Sequence, residues 1–406
     1  MIKFIFLYLR PISNHEIKTW ELEVFLKYNA QIEVLDLSAI LYPKNYTEMY
    51  SSDEKSVGKF QSKKILSFKQ LENYINKNTK QAIFVDFING LGDINLNSEK
   101  IFRIFKKQKS KYIIIASGEI PRFNSLKLYS QTSSYRKLIS KIINVLISKI
   151  ILFLMRHEFI YAKPSLIFTT KSDRLRDFVL ERGLNKKSIV YINSHDFYKC
   201  KKNFFYQKDK IENICVFLDE SATDHPDYKI LNFQPPNQKV YFNKMNLFFD
   251  LIEKKTNLRV VIAAHPRSNY RNNNPFNLRN ILYDKTPELV KKSRFVIAHM
   301  STSVSFAVTM NKPIIFSEIP GLASNSKFNS YIKLFANLLG CKCLNLEKYE
   351  NLSKNFFTFK PNKDKYRKFT NKYIRANHSN NDSFVNLVME NCLPLIKSEI
   401  KLSANQ

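Results

Sequence analysis

The sequence predicts an α/β protein built on two doubly wound parallel sheets, and three observations carry that expectation. Short apolar runs rich in Ile, Val, Phe and Tyr recur along the first three-quarters of the chain, most are separated by segments long enough for a helical crossover, and a Lys- and Asn-rich stretch at 194–213 interrupts the series once. Continuous apolar runs are what strands covered on both faces require, and parallel strands require long crossovers. At 406 residues the chain favours two domains over one.

The first series of strands is expected at 1–9, 31–37, 82–87, 111–117, 165–170 and 188–193. Met1 to Arg10 is too short an apolar run to span a membrane and lacks a small-residue cleavage site, so it reads as the first strand. A second series is expected at 214–218, 259–264, 280–283, 295–298 and 313–316, with helices over 238–255 and 286–293 and a pair of helices in 365–400. The expected architecture is two Rossmann-like domains facing a cleft, 1–200 and 210–365, followed by C-terminal helices at 366–406.

The insert from Lys137 to Arg156 is apolar and basic at both ends, with Lys137, Ser140, Lys141, Asn144 and Ser148 on one narrow helical stripe. A core helix, a helix lying in a membrane plane and a span all fit such a pattern; Lys141 and Lys149 inside the run count against the span.

A net charge of +30 would ordinarily point to nucleic acid, anionic lipid or an acidic substrate. The basic residues are spread over the whole length and no stretch interleaves Arg with aromatics, which argues against nucleic acid. Seven glycines, where average usage gives roughly 28, and an abundance of Lys, Asn, Ile, Phe and Tyr trace much of the lysine excess to codon bias. Cys200, Cys215, Cys341, Cys343 and Cys392 are odd in number and lack Cys-x-x-Cys spacing, so neither a disulfide framework nor a zinc site is signalled, and a reducing cytoplasm fits best.

Three strips stand where ligands gather in open α/β sheets, at the carboxyl ends of expected strands. Val216-Phe217-Leu218-Asp219-Glu220 ends in an acid pair, and either carboxylate, Asp219 first, could serve as a general base. In Ala263-Ala264-His265-Pro266-Arg267 the proline stops the strand and holds His265 extended. In Ala298-His299-Met300-Ser301-Thr302-Ser303-Val304-Ser305 the hydroxyls exceed what capping one helix requires and suit a phosphate at a helix start. Glu318, just past the strand at 313–316, joins this nucleotide-binding set. In the N-terminal half Glu119, His15 and Asp86 are possible cleft residues without a motif. Gly-x-Gly-x-x-Gly, Walker and Gly-x-Ser-x-Gly patterns are absent from the sequence, which counts against nicotinamide enzymes, P-loop NTPases and serine hydrolases. Asp-x-Asp is absent too, so a transferase here is expected to need neither metal nor cofactor.

In order and character the strips resemble bacterial GT-B glycosyltransferases that use CMP-activated acidic sugars, the sialyl-, Kdo- and pseudaminic- or legionaminic-type transferases. The segments 217–228 and 263–270 also look like uncharacterised proteins of surface-polysaccharide loci. The resemblance implies that Asp219 or Glu220 is the base, that His265 and Pro266 contact the cytidine monophosphate with Arg267 nearby, and that Ser301, Thr302 and Ser303 seat its phosphate. It further implies an acceptor domain at 1–200 and a nucleotide-sugar domain at 210–365. Many such enzymes carry glycine after the acid pair, where this chain has Ser221. The strip 294–316 is similar as well to CDP-glycerol glycerophosphotransferases, whose second histidine has one counterpart here, His225.

The expected function is transfer of a nonulosonic-type sugar from a CMP donor to a lipopolysaccharide or capsule glycan, with inversion, by a cytoplasmic enzyme peripherally associated with an anionic inner membrane. The alternatives are a CDP-glycerol-type transferase and a non-catalytic glycan-binding protein on the same fold.

Overall fold

The computed structural model describes residues 2–43, 60, 62–88, 90–91, 98–118, 121, 146–147, 149–204, 210–225, 234–348, 352–376 and 383–403. The chain forms two compact units, one of 1–119, 131–195 and 376–406, the other of 120–130 and 196–375. The C-terminal segment, expected as a pair of helices, contributes to both: Lys363–Phe369 and Thr370–Ile374 belong to the second unit and the helix Phe384–Ser403 to the first.

Among the described residues the first unit has a parallel sheet in the order β3-β2-β1-β4-β5-β6-β7. Its strands are β1 (Ile2–Tyr8), β2 (Ala30–Asp36), β3 (Ser62–Lys64), β4 (Ala82–Asp86), β5 (Tyr112–Ala116), β6 (Leu166–Thr169) and β7 (Ile189–Tyr191). β1 lies between β2 and β4, with Ile2 opposite Ala30 and Lys3 opposite Ala82. β4 and β5 are buried throughout, as strands covered on both faces must be. β3 had no apolar run to announce it: Ser-Lys-Lys is an edge strand, where polar side chains discourage further pairing. Phe384 at the head of the C-terminal helix meets Phe25 edge-on at 6.5 Å, and Tyr28 donates to Asn386.

Within the insert, the described residues 146–147 and 149–156 are helical. Ile151 and Met155, four apart and so on one face, are buried in the first unit's core. The polar positions 137–145 and 148 lie outside the described residues. No described helix is long and apolar enough to cross a membrane.

The second unit repeats the plan with described strands in the order β10-β9-β8-β11-β12-β13. They are β8 (Ile214–Leu218), β9 (Arg259–Ala263), β10 (Ile281–Leu282), β11 (Phe295–Ala298), β12 (Ile314–Ser317) and β13 (Lys342–Leu344). The helix Gln238–Thr256 begins where Asn237 accepts the Val240 amide at 3.1 Å and ends at Asn257, whose φ of 56° closes it. Its buried Tyr241, Met245, Phe248, Phe249 and Ile252 follow the three- and four-residue spacing of one face. The two Rossmann-like units and the C-terminal helices match the expected α/β class; β3 (Ser-Lys-Lys) and β13 (Lys-Cys-Leu) went unpredicted because neither lies in an apolar run.

Candidate active site

In the second unit the winding reverses between β8 and β11: β9 and β10 lie to one side, β12 and β13 to the other. Ligands of open α/β sheets sit outside the carboxyl ends at such a point. Adjacent strand ends there carry His265 after β9, Asp219 and Glu220 after β8, the hydroxyl strip after β11 and Glu318 after β12, so the topology gathers the three strips and Glu318 along one edge.

Asp219 is buried, with 4% of its surface exposed, and fully engaged. Its Oδ1 accepts the Ser221 amide at 3.1 Å and the Tyr270 hydroxyl at 3.3 Å, and its Oδ2 accepts the His265 amide at 3.0 Å. Burial pushes its pKa up to about 6, against the lowering effect of these donors. The carboxylate therefore holds the His-Pro turn in place. Ser221 adopts φ 53°, a left-handed conformation in which glycine is the unstrained residue.

Glu220 is different. It is half-buried, and its Oε2 accepts the Met300 amide at 3.0 Å, spanning the switch point from β8 to β11. Burial, partly offset by that amide and reinforced by the negative charge of Asp219, pushes its pKa up to about 7. A base poised near neutrality and within reach of solvent suits proton abstraction better than a buried carboxylate with three donors. The two adjacent carboxylates thus stand in different settings: Asp219 is buried and binds the His-Pro turn, and Glu220 is half-buried at the switch point.

His265 is half-buried and Pro266 exposed. The Arg267 amide donates to His265 Nδ1 at 3.3 Å, so a neutral ring carries its proton on Nε2. The Ser268 amide and hydroxyl both donate to the His265 carbonyl, at 3.0 and 2.8 Å. His225, from the loop after β8, lies with its ring centre 5.3 Å from that of His265.

The hydroxyl strip divides by role. Ser301 Oγ accepts the Ser303 amide at 3.2 Å, while Ser305 donates to the Thr302 carbonyl at 2.8 Å and to Asp196. Burial raises the pKa of that aspartate, against Lys199 and the Ser305 hydroxyl, which lower it. Thr302 is exposed and Ser301 and Ser303 are half-buried, whereas Ser305 is buried. The helix they precede, Val304–Thr309, has six residues. Glu318 is tied down: the Ser324 hydroxyl donates to its Oε2 at 2.6 Å and Lys333 pairs with its Oε1 at 3.2 Å.

Several contributors escaped the sequence reading. His299 is wholly buried; its Nδ1 donates to the Ser317 carbonyl at 2.7 Å, and Tyr241 donates to its Nε2 at 3.1 Å. Burial depresses its pKa to about 4, so it is a neutral rivet joining β11, β12 and the helix Gln238–Thr256. Tyr270 and Asp196 likewise matter through side-chain contacts 51 and 109 residues distant in sequence, and no local motif announces such pairs. In the first unit Asp86 is buried and accepts the Ile88 amide at 2.8 Å, His15 is exposed, and Glu119 lies outside the described residues.

No protein-family model and no curated protein matches the chain. Among solved structures it is similar to the S. aureus MnaA–UDP co-structure, at 12% identity over 99% of this chain and 98% of that one with a TM-score of 0.45. It is similar to the wall teichoic acid polymerase TagF at 10% identity, over 98% of this chain and 90% of that one, with a TM-score of 0.48. WaaG, a glycosyltransferase involved in lipopolysaccharide biosynthesis, aligns at 9% identity over 91% of this chain and 90% of that one, with a TM-score of 0.38.

Proposed function

We propose that the protein is a GT-B-type glycosyltransferase that moves a nonulosonic-type acidic sugar from a CMP donor to a lipopolysaccharide or capsule glycan, peripherally associated with the inner membrane. The observation that supports it best is the half-buried Glu220 at the switch point, bonded to the Met300 amide and flanked by His265 and the hydroxyl strip on neighbouring strands.

In this reading the Glu220 carboxylate takes the proton of an acceptor hydroxyl as its oxygen bonds to the anomeric carbon. The anomeric C–O bond to the phosphate breaks and the electron pair leaves with CMP. Donors fixed in advance at the leaving phosphate stabilise its charge without reorganising; here they would be the Nε2 proton of His265, the Ser301, Thr302 and Ser303 hydroxyls and the nearby backbone amides, with Arg267 beside them. Glu318 would contact the nucleoside, and Asp219 acts on the His-Pro turn. One base and no covalent step lead to inversion, and no step calls on a metal.

Purified protein with a CMP-sugar and a lipid-linked acceptor should release CMP, and thermal stabilisation should be greater with CMP than with UDP or GDP. Stabilisation by UDP alone would overturn the cytidine assignment, and nucleotide binding without turnover would favour a non-catalytic glycan-binding role. A second reading, a CDP-glycerol-type transferase, is favoured by the His225–His265 ring pair at 5.3 Å; stabilisation by CDP-glycerol above CMP, lost in His225→Ala, would select it.

A further inference from the structure

The helical insert of the first unit presents an unusual outer face. A water-soluble helix sets polar residues opposite its buried stripe. Here, opposite Ile151 and Met155, the residues Leu146, Ile150 and Phe153 are 54%, 58% and 56% exposed. Their spacing of four and three aligns them on one line, and His157, four further on, continues it. Beyond the helix end Phe159 and Ile160 are 66% and 41% exposed, and the His157 ring joins the two parts, 4.6 Å from Phe153 and 5.7 Å from Phe159.

The charges beside this row are cationic. Lys149 and Arg156, both exposed, are seven apart and so share one flank of the row. The acid at its end, Glu158, is neutralised by Lys163 at 3.3 Å and Lys106 at 3.9 Å. The whole chain adds a net charge of +30. An apolar stripe edged by exposed Lys and Arg is the pattern of a helix lying in a lipid interface. A protein partner would have to bury the same row against a matching apolar face, whereas an anionic bilayer satisfies both the row and its cations.

We propose that this face, centred on Ile150, Phe153 and Phe159, is the surface through which the protein lies on an anionic bilayer. The inference deepens the peripheral-association part of the proposed function. Vesicle binding needs neither donor nor turnover, so each can fail without the other.

The test uses the full chain with vesicles of phosphatidylcholine alone or with about one-third phosphatidylglycerol. Wild type should partition at least ~10-fold more strongly onto the anionic vesicles, with binding weakened as salt screens the cations. Ile150→Ser with Phe153→Ser should lower that partitioning at least ~10-fold at an unchanged melting temperature, and Lys149→Glu should lower it on anionic vesicles only. Leu278→Ser, at a leucine of the second unit that is 91% exposed, should change nothing. Phe159→Trp gives a readout independent of lost binding: its added tryptophan should be quenched by brominated acyl chains, unlike Trp20 in the wild type. Absence of wild-type binding, equal binding by the double variant, or binding without quenching at position 159 would each overturn the assignment. So would a dimer broken by the double variant, which would show that a second copy covers this face.

Discussion

In the first unit the strand-end acids Asp36 and Asp86 each accept the amide two residues on, from Ser38 at 3.0 Å and Ile88 at 2.8 Å. In the second, Asp219 does the same with Ser221 at 3.1 Å, yet Glu220 beside it crosses to Met300 on another strand. Both sheets are wound alike, with reversals between β1 and β4 and between β8 and β11. An aspartate that closes its own turn is a folding device shared by both units. Around the first reversal the space is filled by aromatics, with Tyr8 stacked on Phe87 at 5.1 Å and Trp20 4.2 Å from Phe87. Around the second stand a carboxylate, a histidine and the hydroxyls of Ser301, Thr302 and Ser303, none of them buried. The comparison separates what the winding needs from what it carries: Asp219 matches its counterparts, and Glu220 has none.

The sharpest way to break this contrast is to neutralise the two acids separately. Glu220→Gln, which keeps an oxygen to accept the Met300 amide, should lower kcat by about a hundredfold to ten-thousandfold with nucleotide affinity nearly unchanged. Asp219→Asn should cost less in kcat and more in nucleotide affinity, because it loosens the His-Pro turn. If steady-state kinetics show the reverse ranking in folded proteins, Asp219 is the base.

A pH profile sharpens the same point. A base must be deprotonated, so kcat/KM should fall tenfold per unit below about pH 7, the value to which burial raises Glu220. The same shift acts on stability. With a folded pKa above its ordinary 4.5, Glu220 binds its proton more tightly in the native state, so its contribution is full below pH 4.5 and is lost as the pH rises through about 7. Glu220→Gln should therefore melt above wild type at pH 8 but not at pH 4; identical melting at both would remove the case for a poised carboxylate.

Smaller effects test the supporting frame. Tyr241→Phe leaves the buried Nε2 of His299 without its donor, so denaturant unfolding should show a loss of about 1–3 kcal/mol. Smallest of all, Ser221→Gly relieves a left-handed residue and should be neutral or stabilising by about 1 kcal/mol. A loss there would mean that the serine side chain contributes more than its backbone costs.

Much of the fold was legible because buried strands leave a local mark. β8 and β11 occupy the expected residues, and β1, β5 and β9 differ from them by a residue or two at their ends. What went unread had no such mark: β3 and β13 are short edge strands, and the C-terminal helix joins the first unit through contacts such as Phe25–Phe384, 359 residues apart in the chain. The candidate site was legible to the level of strips. His265, the acid pair and the hydroxyl run announced themselves as polar residues directly after apolar runs, while Tyr241, Tyr270 and Asp196 did not.

By itself, then, the sequence determined that two parallel sheets form and that acids, His-Pro and hydroxyls stand at strand ends, because period and punctuation are local properties of the chain. Only the tertiary structure decided which acid faces inward and which spans the switch point. Asp219 and Glu220 are adjacent and chemically alike, and their roles diverge through the amides of His265 and Met300. Those partners arrive from other strands, and strand order is set by packing rather than by proximity in sequence.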